Sequence, residues 1–334
     1  MSRQLATPSN HALHTAGHGG RRRLRAGQPR ARVERLDAVV VGGGPAGLSA
    51  ALVLGRARRR VLVIDSGRPA NLKSNAIGGL LGQTGVAPVE LRRSGREQLV
   101  GLPSVEVRDG AVVDADAGSD RLRVSLSDGS SVETEALVLA HGLSYEPVAL
   151  PGIEPLWARS VFHCPFCDGW DVRDTALAVH GNGPEAVRSA LVVSGWSDDL
   201  VLLTDGPARF GDDDRALLGA AGVRVREEPV RTLVGYEGWL ERIEFASGPA
   251  EKRDALFVRT RREQPNGLAE ALGCELTAGG TIVTDGDGRT DAKGVYAAGD
   301  TATESLRSVA AAIGTGSRAA LAVALDHVPV AAAA

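Results

Sequence analysis

Gly42-Gly43-Gly44-Pro45-Ala46-Gly47 follows directly on the apolar run Val39-Val40-Val41 and sets glycines at positions 42, 44 and 47. This is the spacing of a dinucleotide-binding turn: the first glycine permits a tight turn, the second lets backbone approach a pyrophosphate, and the third lets strand and helix pack closely. The frame around the glycines narrows the choice of fold. Ala46 to Ala57, rich in Ala and Leu, reads as a helix whose N-terminal N–H groups and partial positive charge suit phosphate. Val61-Leu62-Val63-Ile64-Asp65 reads as a second buried strand, and its terminal acid is placed to accept from a ribose hydroxyl. Gly42, Gly44, Pro45, Ala46, Gly47 and Asp65 are therefore the candidate cofactor-binding residues of one βαβ unit.

The same arrangement begins again about 140 residues downstream. Ala176 to His180 reads as a strand, Gly181-Asn182-Gly183-Pro184-Glu185-Ala186 as a second glycine turn with alanine in the third place, Glu185 to Ser194 as a helix, and Leu200 to Asp205 as a strand. Between the units, Val105 to Val113, Leu122 to Leu126 and Ala136 to Ala140 are strand-like. After them come Gly294-Val295-Tyr296-Ala297-Ala298-Gly299-Asp300 and an Ala-rich helix. Two such units make an α/β chain with two Rossmann-like dinucleotide-binding domains. The second unit ends in Asp205, which would repel the dianionic 2′-phosphate of NADP, and the nearest arginine, Arg209, comes later. NADPH is disfavoured there. NADH and an empty, vestigial pocket both fit the sequence.

Composition bounds the function. A chain of 334 residues has room for about two domains, and 43% hydrophobic residues with a net charge of −3 fit a soluble globular protein. A dedicated nucleic-acid binder would show a basic domain or stripe. No continuous apolar run approaches the ~18–20 residues that span a bilayer, so a membrane protein is not expected. Residues 1 to 36 differ from the rest, with His11, His14, His18 and seven arginines from Arg21 to Arg35 but no apolar signal region, and read as a disordered basic extension. Three cysteines cannot make a disulfide framework, which points to a reducing, cytoplasmic setting.

Two of those three stand as Cys164-Pro165-Phe166-Cys167, followed by Asp168. Thiols at this spacing can close into a reactive disulfide, and a neighbouring carboxyl can exchange a proton with the leaving thiol. A zinc site would need four ligands, and only His163 is near, at the wrong spacing, so no metal is expected. Cys274 reads as a small buried apolar residue.

In this order the four motifs (Gly42 to Gly47, Cys164 to Gly169, Gly181 to Ala186, Gly294 to Asp300) resemble the low-molecular-weight thioredoxin reductases, over about residues 36 to 327. The resemblance implies an FAD domain in two segments, 37–149 and 253–330, around an inserted NAD(P)-type domain, 150–252, that carries the cysteines, and it implies a homodimer. It places the FAD pyrophosphate on Gly42, Gly44 and Gly47, the adenosine ribose on Asp65, and a flavin-side hydroxyl on the Gly299-Asp300 turn. The backbone at Ser308 and Val309 would face the isoalloxazine. Cys167 matches the flavin-proximal thiol, Cys164 the exchanging thiol and Asp168 the acid beside them.

Two departures qualify the match. The arginines with which the family reads the NADPH phosphate have no counterpart after Leu203, and the family's Ala-Thr-Gly reads Ala140-His141-Gly142. The chain thus resembles an NADPH-independent branch that includes FAD-dependent dithiol oxidases. The expected function is oxidation of a dithiol, small molecule or thioredoxin-like protein, with electrons passed to oxygen or another acceptor. NAD(P)H-dependent reduction of a thioredoxin disulfide is the alternative enzyme reading, and a non-enzymatic flavoprotein redox sensor is the alternative from another class.

Overall fold

The computed structural model describes residues 35–118, 120–304 and 307–328. The basic extension expected over 1–36 lies outside the described residues except at its end. There Arg35 and Leu36 already pair with Glu133 and Thr134 as the first residues of a strand, which moves the boundary back.

In chain order the elements are β1 (Arg35–Val41), α1 (Pro45–Arg56), β2 (Val61–Asp65), α2 (Pro88–Val100), β3 (Val105–Asp109), β4 (Val112–Ala117), β5 (Leu122–Leu126), β6 (Ser131–Leu139) and β7 (Ser144–Pro147). Next come β8 (Val161–Phe162), α3 (Pro165–Asp168), β9 (Leu177–His180), α4 (Pro184–Val193), β10 (Leu200–Leu203), α5 (Asp212–Ala220), β11 (Arg224–Arg226), β12 (Val230–Tyr236), β13 (Trp239–Phe245) and β14 (Glu251–Lys252). The chain closes with β15 (Ala255–Val258), β16 (Thr260–Glu263), α6 (Leu268–Ala271), β17 (Val295–Ala297), a short 3-10 turn (Gly299–Ala302) and α7 (Val309–Asp326).

The first sheet runs β3-β2-β1-β6-β5-β4, with β17 also paired to β6. Its central strands β1, β2 and β17 lie parallel to their neighbours and are covered on both faces, so they read as unbroken apolar runs rather than alternating ones. The segment 105–113, read from sequence as one strand, is two. Gly110, at φ +152, breaks it, and the chain turns from the parallel edge β3 into the antiparallel pair β4 and β5.

The second sheet, β11-β10-β9-β15-β8, is parallel throughout. Strand β15 belongs to it, so the boundary expected at 252/253 falls inside this sheet. An antiparallel meander, β12-β13-β14, is appended, and the two chain passages between the sheets, β7 and β16, lie side by side as an antiparallel pair.

Helix α7 corrects one expectation. It has 18 residues with a mean hydropathy of 1.3, long and apolar enough to cross a membrane by length and composition. Interspersed Gly, Ser and Thr interrupt any continuous apolar run, while Ala, Val, Ile and Leu raise the average. In the fold it is a packing helix. A Cβ on Gly316 would stand 2.1 Å from the carbonyl oxygen of Ala46, so the two backbones nearly touch, and Ser49 of α1 donates to the carbonyl of Ile313 at 2.9 Å.

Candidate active site

The first glycine turn is shaped by its own close contacts. Gly42 has φ +108, and a Cβ there would lie 2.5 Å from the carbonyl oxygen of Ala140 at the end of β6. A Cβ on Gly47 would lie 1.8 Å from the carbonyl oxygen of Gly42, and one on Gly43 would strike the carboxylate of Asp65. Gly44 is different. Its φ of −79 suits any residue, and a Cβ there would meet nothing within 4 Å. Neither backbone strain nor packing within the protein explains this glycine, whereas close approach by an outside group does. It is also the N-cap of α1, with Pro45 behind it and no side chain capping the helix, so free backbone donors point at the same place. The turn fits a pyrophosphate.

Asp65 is buried at the end of β2. It accepts from the Gly67 N–H at 2.8 Å and is paired with Arg92 at 2.6 Å and Arg96 at 3.1 Å, both from α2. The arginines crowd one oxygen, Oδ2, and leave lone-pair capacity on Oδ1 for a hydroxyl. Arg92 also lines a cleft with Gly44, Pro45, Leu48 and Asn71. Arg92 and Arg96 were not legible as site residues. Two arginines four apart on a helix are common, and only the fold brings them to Asp65.

The Gly299-Asp300 turn closes on the same helix start: a Cβ on Gly299 would lie 2.9 Å from that of Ala46, and the Gly299 N–H donates to Thr315 Oγ1 at 3.0 Å. Asp300 accepts from the hydroxyl of Tyr145 at 2.7 Å, and burial holds its pKa above the ordinary carboxylate value. Ser308 is the N-cap of α7; its side chain accepts from the Ala311 N–H at 3.1 Å, leaving backbone as what this helix start can offer a ligand.

Cys164 and Cys167 form a disulfide with Cα atoms 5.3 Å apart. The one-turn helix α3 sets that distance, since the N–H groups of Cys167 and Asp168 both donate to the carbonyl of Cys164 at 3.1 Å. The disulfide sits against the first unit: a Cβ on Gly78, in the loop after β2, would be 2.7 Å from the carbonyl oxygen of Cys167. Asp168 has no side-chain hydrogen bond among the described residues. Burial, helped by the neighbouring charge of Asp171, raises its pKa to about 7.

His163, beside Cys164, stacks between Tyr145 at 4.8 Å and Trp157 at 5.8 Å between ring centres. Desolvation by those rings and then the charge of Arg262 lower its pKa. One continuous set of contacts thus runs from Asp300 through Tyr145 and His163 to the disulfide. Tyr145 comes from β7, distant in sequence from both ends of this path, and nothing in the local pattern marks it. Phe166 and Trp170 leave 76% and 67% of their surface exposed next to the cysteines, and Phe166 packs edge-on against Trp196.

The second glycine turn is tied to the loop after β10. Asn182 uses all four of its hydrogen-bonding sites: its amide donates to the carbonyls of Thr204 and Pro207, and its oxygen accepts from the N–H groups of Gly183 and Arg209. This ties residues 204–209 to the turn, and a Cβ on Gly183 would be in ordinary contact with the carbonyl oxygen of Arg209, at 3.9 Å. Asp205 lies beyond the end of β10, with φ +51, rather than within the strand as expected. It accepts from the Val230 N–H at 2.7 Å and stands 3.5 Å from His180 Nε2.

The family profile of the pyridine nucleotide-disulphide oxidoreductases matches residues 36–316. The chain belongs to that family. Among the relatives, the thioredoxin reductase tcpT of Claviceps purpurea is 29% identical over 276 residues, 79% of this chain and 86% of its own length. The crystal structure of HlmI is 40% identical with a TM-score of 0.82, over 88% of this chain and 93% of that one. The oxidoreductase from Agrobacterium tumefaciens is 34% identical with a TM-score of 0.81, over 87% and 97%.

As a thioredoxin reductase-like pyridine nucleotide-disulphide oxidoreductase, the protein is an FAD-dependent enzyme of disulfide chemistry with the two-unit α/β fold read from its sequence. Within this oxidoreductase, Gly42 to Gly47, Asp65 and the Gly299-Asp300 turn converge around the start of α1, and the disulfide joins them through Gly78 and Tyr145. Cys274, expected as a packing residue, is free and buried, with its Sγ 3.8 Å from Thr290 Oγ1.

Proposed function

We propose that this oxidoreductase oxidises dithiols at the Cys164–Cys167 disulfide without drawing electrons from NADPH. The observation that carries this reading is the contrast between the two glycine turns. Gly44 stands clear of other protein atoms at an uncapped helix start, whereas Asn182 ties residues 204–209 to the second turn and Asp205 stands where a 2′-phosphate would need cations. A carboxylate at that place repels the 2′-phosphate of NADPH.

A substrate thiolate attacks Sγ of Cys164, forming a mixed disulfide and releasing Cys167 as thiolate. The second substrate thiol then attacks the substrate sulfur of that mixed disulfide, so the substrate leaves as its disulfide and Cys164 as thiol. Two electrons and one proton now reside on the cysteine pair, with Cys167 as thiolate and Cys164 as thiol, and the other substrate proton passes to Asp168 or to solvent. With a pKa of about 7, Asp168 can give a proton to a departing thiolate or take one from an incoming thiol near neutrality. Exposed Phe166 and Trp170 offer an apolar rest for the substrate beside the sulfurs. FAD, when bound, supplies the two-electron acceptor for the reduced pair and delivers the electrons to oxygen or another acceptor. Gly42, Gly44, Pro45, Ala46, Gly47, Asp65, Gly299, Asp300 and the backbone at Ser308 and Val309 would hold it. A cytoplasmic homodimer completes the reading.

The test is steady-state turnover of the holoenzyme. Oxygen uptake driven by a small dithiol, lost in Cys164→Ser, is the expected result. NADPH or NADH consumption coupled to reduction of a thioredoxin disulfide would instead establish the reductase reading.

A further inference from the structure

We propose that His141 is an FAD-positioning residue, whose Nδ1 accepts a hydrogen bond from a hydroxyl of the cofactor's ribityl chain. The proposal rests on the placement of FAD along Gly42 to Gly47 and Asp300. His141 stands between those two points. Its Cα would lie 3.0 Å from a Cβ on Gly42, and its ring reaches Thr301, the residue after Asp300.

The network around the ring fixes its tautomer. Gln264 Nε2 donates to two backbone carbonyls, Gly280 at 2.9 Å and Thr301 at 3.1 Å, which turns Gln264 Oε1 toward His141. The single hydroxyl proton of Thr301 is given to the same Oε1 at 2.7 Å. His141 Nε2 faces Oε1 at 2.9 Å and Thr301 Oγ1 at 3.1 Å, both acceptors toward it, so Nε2 carries the proton. Burial favours the neutral ring. Nδ1 is then a bare acceptor, and it is buried with no partner. A buried acceptor without a donor is unfavourable and calls for one. Of the groups FAD would bring between the glycine turn and Asp300, the pyrophosphate offers only acceptors, whereas the ribityl hydroxyls donate.

Two near-isosteric substitutions separate the nitrogens. His141→Asn keeps an acceptor near Nδ1 and loses the Nε2 position; His141→Gln keeps the Nε2 position and loses Nδ1. The expected result is an FAD Kd within about twofold of wild type for His141→Asn and about tenfold weaker for His141→Gln. In protein labelled with 15N-histidine, the unprotonated Nδ1 resonance that His141→Gln lacks should move when FAD is added to the apoprotein. Equal affinities in both variants, the reverse order, or an Nδ1 resonance indifferent to FAD would each overturn the proposal; the last decides it even if a variant folds poorly. Gly44→Val and Asp300→Asn are run alongside. If neither weakens FAD, the placement of the cofactor is wrong rather than the role of His141.

Discussion

Asp168 holds its proton far above the ordinary carboxylate range because it is buried beside Asp171 without a hydrogen bond to stabilise its charge. The folded state therefore keeps a proton that the unfolded carboxyl has lost between the ordinary value of 3.8 and about 7. The carboxyl leaves stability untouched below that window, destabilises the fold progressively as pH rises through it, and does so fully above pH 7. Asp168→Asn should raise the unfolding free energy by about 1–3 kcal/mol at pH 8 and leave it nearly unchanged at pH 4, as read from urea melts. A gain independent of pH would show that Asp168 is not a buried acid.

At Tyr145 the expected change has the opposite sign. Tyr145→Phe removes the donor to Asp300 and should cost about 1–2 kcal/mol, checked by the same melts. The place of Asp168 beside Cys167 was legible, but its protonation was not, since burial is set by residues distant in the chain. Tyr145 and the stacked position of His163 are illegible for the same reason.

Among the elements, two glycines of the first turn behave oppositely under substitution. Gly47→Ala puts a methyl against the Gly42 carbonyl and should lower the stability of the apoprotein by about 1–3 kcal/mol. Gly44→Ala meets no protein atom and should leave apoprotein stability unchanged while weakening FAD at least about tenfold. Comparing thermal melts of apoprotein with FAD titrations separates the two effects, and a destabilised Gly44→Ala apoprotein would mean that the glycine serves packing. The buried strands and both βαβ units could be read from unbroken apolar runs and glycine spacing. That β15 joins the second sheet could not, because a four-residue apolar run does not name its neighbours. The second turn was legible as a motif but its tie to the loop after β10 was not. Asn182 stands at a position where the motif accepts any residue, and three of its four hydrogen bonds reach a loop more than twenty residues away.

Across the whole molecule, the proposed function sets two routes for electrons against each other: entry at the disulfide, seated against the loop of the first unit, and entry at the second glycine turn. The fold keeps both βαβ units, as their hydrophobic patterns require, yet the second carries Asp205 just beyond the end of its second strand. An anaerobic titration of the purified FAD-loaded protein, followed at the visible flavin band, discriminates between the routes most directly. Rapid bleaching by small dithiols, with none by NADPH or NADH, is the expected result. Rapid bleaching by NADPH with no response to dithiols would contradict the central claim.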